Sequence, residues 1–117
     1  MATRSTIGYE TQGGDYVAVY CHFDGYPDHM GPRLGAMMHA DVVIMVSRAL
    51  ACGGIRNVLE LDSEGYELFN DGPIQPHTEW PGCPEEYAYR KRWDGSLEFT
   101  DRTGNVYEWH ADVPHDG

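Results

Sequence analysis

The strongest constraint on this chain is a short alternation. Over residues 16–23, Val17, Val19, Cys21 and Phe23 alternate with Tyr16, Ala18, Tyr20 and His22. A period of two marks a strand with one apolar face, and such a face needs a covering layer. Cys21 is expected to point inward with the valines, and His22 outward. Residues 5–10 supply a partner strand across the turn Thr11-Gln12-Gly13-Gly14-Asp15.

The covering layer is legible further on. Met38, Val42, Met45, Val46 and Ala49 recur at helical spacing, and Val43 and Leu50 widen their face. Pro32 suits a first helical turn and Gly53-Gly54 a glycine stop. One long helix over residues 32–52 is therefore expected to lie on the sheet. Three more strands are expected at 87–93, 96–101 and 106–110. Asp94-Gly95 marks a tight hairpin between the first two. Residues 71–84 are rich in Pro and Gly and read as an irregular surface loop. The expected fold is α+β: a mainly antiparallel sheet of about five strands with one long helix on a face. At 117 residues the chain is expected to form a single domain, 1–117, with a tail frayed from about residue 112.

Charge narrows the partners. Eight basic residues against 19 acidic give a net charge of −11, which disfavours direct contact with nucleic acid or an anionic membrane. It suits a basic partner, including one whose usual ligand is nucleic acid. No apolar run is long enough to span a bilayer, and the polar opening lacks a secretory pattern, so a cytoplasmic location is expected. Cys21, Cys52 and Cys83 are odd in number and far apart, which predicts reduced thiols.

The acids are unevenly spread. Residues 57–89 hold no Lys or Arg but eight carboxylates: Glu60, Asp62, Glu64, Glu67, Asp71, Glu79, Glu85 and Glu86. In an extended segment Glu60, Asp62 and Glu64 would share one face at intervals of about 6.6 Å. That is sparser than the roughly 3.4 Å between phosphates along one DNA strand. Only with Glu67, Asp71 and Glu79 would the row approach a phosphate-like field. These eight residues form the expected partner-binding face. A second candidate contact is the polar-aromatic segment at the strand end, with Tyr20, His22, Asp24 and Tyr26.

Catalytic and metal signatures are weak. No Cys-x-x-Cys, His-x-x-x-His or His-Glu-x-x-His spacing occurs, and adjacent Cys21 and His22 fall on opposite faces of a strand. The serines lack a nucleophile elbow, and Gly53-Gly54 follows a helix instead of opening one. No metal, cofactor or enzymatic activity is expected. Arg90 and Arg92 share a face with Ala88 and are expected to pair with strand acids such as Glu98 or Glu108.

The stretch Arg4-Ser5-Thr6-Ile7, followed by Tyr20-Cys21-His22-Phe23-Asp24-Gly25-Tyr26-Pro27, resembles small uncharacterised proteins encoded by bacteriophages and prophages. In that group Trp is expected at least as often as Phe at position 23. The resemblance covers roughly the first quarter of the chain, with a looser echo in the aromatic C-terminal hairpins. It implies a phage-type accessory protein. With the acidity, the leading expectation is a counter-defence, anti-CRISPR-like inhibitor that occludes a basic nucleic-acid-binding site on a host defence complex. The alternatives are a binder that sequesters a nucleotide signal, using the 20–26 segment with Arg33, Arg48 or Arg90, and an enzyme modifying a host factor. Self-association into a homodimer is left open.

Overall fold

A computed structural model describes residues 3–58, 65–82 and 85–110. Strands β1 (Ser5–Glu10) and β2 (Tyr16–Cys21) form the expected antiparallel hairpin, with Ile7 opposite Val19 and Ser5 opposite Cys21. Val19 and Cys21 point into the core as read, and Val17 packs partly against it. Tyr16 and Ala18 on the opposite face are buried as well, so this strand is covered on both sides; His22 is half-buried. Helices α1 (Pro27–Ala36) and α2 (His39–Cys52) then cross over to β3 (Ile55–Val58), which runs parallel to β2 and carries β4 (Tyr66–Leu68) antiparallel at its edge. The chain returns on the other side of β1. There β5 (Tyr87–Lys91) pairs parallel to β1 and opens a meander with β6 (Leu97–Asp101) and β7 (Val106–Glu108). The sheet order is β4-β3-β2-β1-β5-β6-β7. The tail from about residue 112, expected to fray, lies outside the described residues.

The class is α+β, but the expectation of one long helix on five mainly antiparallel strands is wrong. The sheet is mixed and seven-stranded, with two helices on one face. The helical error has a tertiary cause. A straight helix over 32–52 would run about 31 Å in one direction, whereas α1 and α2 meet at 115° across extended Met37 and Met38. Pro27, not Pro32, holds the first-turn position, and Pro32 lies inside α1. The Lys91 ammonium, almost fully buried, donates to the Leu34 carbonyl at 3.0 Å and the Gly35 carbonyl at 3.3 Å, closing the C-terminus of α1. Gly31 and Gly35 leave a flat strip on α1 for Trp109. A Cβ at Gly31 would collide with the indole Nε1, and one at Gly35 with Cζ3. Helix α1 is thus drawn over β6 while α2 covers β1 and β2, and the chain must turn between them.

The two strands absent from the sequence reading are short. β4 has three residues, and β3 is irregular between Ile55 and Asn57, which erases its period of two. The core fills the helical face with Ile7, Val19, Met30, Leu34, Val42, Met45, Val46, Ile55, Tyr89 and Phe99. The 71–82 segment is irregular apart from a bridge that pairs His77 with Ala18. It sets Trp80 against Tyr16 and under the Arg90 guanidinium on the sheet's other face. Among the described residues no single helix is long and apolar enough to cross a membrane.

Candidate functional site

The pairing directions gather several strand ends at one edge of the sheet. β1 and β5 begin there, at Ser5 and Tyr87, and β2 and β6 end there, at Cys21 and Asp101. Ser5 pairs with Cys21 and with Tyr87, and Tyr87 with Asp101, so residues far apart in sequence lie level.

The 20–26 segment occupies one side of this edge. The Tyr20 hydroxyl and His22 Nδ1 share a hydrogen bond of 2.6 Å, and the His22 ring packs edge-on to Phe23 with centroids 4.4 Å apart. Asp24 adopts a left-handed φ of 55°, and its carboxylate accepts from the Asn57 side chain at 3.2 Å. Phe23 and Tyr26 are each 37% exposed. Tyr26 leads into α1 and packs against His29, whose Nε2 donates to the Val58 carbonyl at 2.9 Å. Beside His22 lies Phe69, with the exposed Arg56 guanidinium 5.8 Å from its ring centre. Burial raises the Tyr20 phenol above its ordinary pKa, and it raises the Cys21 thiol to about 12. A buried thiol of that acidity is no nucleophile. Cys21 and Cys52 are free thiols, and Cys83 lies outside the described residues.

The other side holds two surface depressions that meet at Glu86 and Tyr87. One, about 390 Å³, is lined by Thr3, Tyr26, Glu86 and Tyr87. The other, about 280 Å³, is lined by Glu86, Tyr87, Asp101, Arg102 and Thr103. Glu86 is strapped in place: its amide donates to the Arg4 carbonyl at 3.2 Å, and its Oε2 accepts from the Arg4 amide at 2.9 Å. Its Oε1 lies 4.0 Å from the Arg102 guanidinium, which is 73% exposed. Asp101 differs. Its carboxylate accepts from the Thr103 hydroxyl at 2.7 Å, the Thr103 amide at 3.0 Å and the Tyr107 hydroxyl at 3.1 Å. The Thr103 hydroxyl leads the contacts that hold Asp101 down at a pKa of about 2. Desolvation, then the fields of Glu86, Asp101 and Asp28, raise the Tyr87 phenol above its ordinary value.

The expected acidic face is divided. Glu60, Asp62 and Glu64 lie outside the described residues. Glu67 is exposed on edge strand β4, opposite Asn57. Asp71 is exposed beside the C-terminus of α2, where its amide bonds the Cys52 carbonyl. Glu79 is exposed next to Trp80 in the irregular segment. Glu85 and Glu86 are half-buried just before β5. Four strand spacings separate β4 from β5, which is roughly 19 Å, so Glu67 and Glu86 do not share a site. Glu86 instead meets Tyr26, a residue of the second candidate set.

The three arginines considered for a nucleotide are engaged on different elements. Arg33 donates to the His29 carbonyl, Arg48 to the Tyr66 hydroxyl, and Arg90 pairs with Glu98 on the sheet face away from the helices. The Arg90–Glu98 pairing is the one the strand register predicts; Glu108 instead lies 4.0 Å from His110. Thr3, Tyr87, Asp101 and Arg102 carry no site signal in the linear chain, where nothing links them. The parallel β1–β5 pairing does so. Among the described residues no group of three or more His, Cys, Asp or Glu is arranged to hold a metal ion. No protein-family model, curated protein or solved structure matches this chain.

Proposed function

We propose that the protein acts by binding, offering the acid- and phenol-lined edge of its sheet to a basic surface on a partner. One observation carries this reading: two adjoining depressions share Glu86 and Tyr87 and are walled by carboxylates and phenols, with Arg102 the one base among their described lining residues. The net charge of −11 steers such an edge toward a positive partner. The phage-like opening of the chain supplies the context, a counter-defence factor of anti-CRISPR type that covers a nucleic-acid-binding site on a host complex.

The test has two steps. The protein is first used to capture its partner from expressing bacterial cells, and the partner is identified by mass spectrometry. Association kinetics with that purified partner are then measured from about 50 to about 300 mM salt, where screening changes strongly. A Glu85→Lys/Glu86→Lys variant is expected to associate at least several-fold more slowly at low salt and to lose most of the salt dependence. The Asp62→Lys/Glu64→Lys/Glu67→Lys variant is expected to slow association less. Wild-type rates for both variants across the whole range would overturn the reading.

A second reading has one observation in its favour. Phe23, His22 and Phe69 form a run of rings beside Arg56, and such a run suits a stacked base with a phosphate. Titration with mono- and cyclic dinucleotides, followed by amide shifts of Phe23, Arg56 and Phe69, decides it.

A further inference from the structure

We infer that the depression between Tyr26 and Tyr87 is an anchor for one arginine side chain of the partner. The inference rests on the binding reading above and specifies its central contact. The four lining residues, Thr3, Tyr26, Glu86 and Tyr87, supply ring faces and hydrogen-bond acceptors but no cationic group. The Tyr26 and Tyr87 phenol oxygens each offer acceptor lone pairs. Glu86 lines the depression with Oε2 held against the Arg4 amide and Oε1 4.0 Å from Arg102, which is 73% exposed. Its charge is therefore positioned, and its one ion pair is a long, solvent-screened one that a better-seated cation can replace.

The surroundings select a donor-rich cation. A ligand anion would meet Glu86 and the fields of Asp101 and Asp28, the same fields that act on the Tyr87 phenol. A neutral ligand would leave the carboxylate uncompensated. A guanidinium presents five donors in a plane, lies flat on aromatic faces and is weakly hydrated, so it satisfies Glu86 and a phenol oxygen together. An ammonium has three donors, no flat face and a stronger hydration shell to lose. Asp101 adds field and no contact, because its oxygens are already occupied by Thr103, Asn105 and Tyr107. At about 390 Å³ the depression sits near the lower limit of ligand pockets, in keeping with one side chain rather than a folded ligand.

The experiment uses the full chain labelled with 15N and three blocked tripeptides, acetyl-Gly-X-Gly-amide with X as arginine, lysine or citrulline. The arginine peptide is expected to produce saturable amide shifts centred on Thr3, Tyr26, Glu86 and Tyr87. Lysine should bind several-fold more weakly, and citrulline, which keeps the shape and loses the charge, should not saturate. Glu86→Gln preserves the acceptor for the Arg4 amide, so the fold is kept; it should weaken the arginine peptide about tenfold. Tyr26→Ala should weaken it several-fold, and Glu67→Gln should leave it unchanged. Absence of saturable shifts at these four residues, or equal binding of arginine and citrulline, overturns the anchor. The outcome is separable from the broader reading. If the captured partner is slowed by Glu85→Lys/Glu86→Lys while the arginine peptide fails to bind, only the anchor falls. If the peptide saturates and the partner ignores the charge reversal, the depression takes arginine but is not the partner's contact, and both the anchor and the acidic-edge reading fall.

Discussion

Two glutamates mark opposite ends of the same pair of parallel strands, and their surroundings differ. At the end of β1, Glu10 has its carboxylate taken by the Trp93 amide at 2.9 Å, with the Arg90 guanidinium 3.9 Å away. Its backbone carbonyl accepts from His39 Nε2 at 2.7 Å, and the imidazole packs edge-on to Trp93 and Tyr9. Just before β5, Glu86 shares its end of the sheet with two phenols; the Arg4 amide takes one oxygen, and the other lies 4.0 Å from the exposed Arg102. The side chains are 20% and 41% exposed. Composition alone does not tell these ends apart, since both carry Glu, Tyr and Arg. Each carboxylate bonds one backbone amide and faces one guanidinium at about 4 Å. Arg90 is 15% exposed and Arg102 73%, so the second pairing is spent at Glu10 and screened by water at Glu86. A spent end holds the fold together, and an unspent end is where a partner can gain.

That contrast can be broken most severely at Lys91. It anchors the spent side by closing α1, and burial depresses its pKa. Lys91→Ala removes a buried stem and strands two helix carbonyls, so chemical denaturation should show a loss of about 2–4 kcal/mol. A loss below about 0.5 kcal/mol would mean that the helix end is satisfied by water.

His39→Ala tests the spent end directly. It deletes one hydrogen bond and two ring contacts, and should cost about 1–2 kcal/mol by the same measurement. Glu86→Gln at the unspent end should stay within about 0.5 kcal/mol of wild type. Comparable losses at both positions would erase the distinction.

The smallest expected effect is at Asp101. Its folded pKa of about 2 lies below the ordinary carboxylate value, so the folded state holds its proton less tightly than the unfolded chain. The stabilisation is complete above about pH 4. It is lost as the pH falls toward 2. Asp101→Asn should therefore flatten the acid limb of the stability profile between about pH 4 and pH 2, lowering stability slightly in the neutral region and converging with the wild type near pH 2. An identical acid limb would show that the carboxylate is paired equally well in the unfolded chain.

The sequence exposes whatever is encoded by local periodicity. The β1–β2 hairpin, the inward Cys21 and the β5–β6 hairpin with its Arg90–Glu98 pair all follow from alternation and turn chemistry. The helical break does not, because Lys91 and Trp109, far along the chain, decide where α1 stops and which way it leans. β3 and β4 are illegible for want of length and period. For the site, Tyr26 and Glu86 each stand out on separate grounds, one in an aromatic turn and one in an acidic run. Their meeting depends on a parallel pairing that sets Ser5 beside Tyr87, and no spacing in the chain announces it.

The indole seat on α1 bears on how this chain is made. Trp109 lies against Gly31 and Gly35, and its amide is clipped to the Leu97 carbonyl at 2.8 Å. A ribosome that has delivered the chain only as far as Trp80 has therefore produced α1 with its glycine strip bare. It has also produced β1 with one long edge unpaired, awaiting β5. Folding must wait for the meander and its tryptophan to emerge. A chain arrested short of β5 presents an open strand edge, the kind of surface that invites aggregation. Closure of this protein is timed by the delivery of its last strands, however early the first hairpin leaves the tunnel.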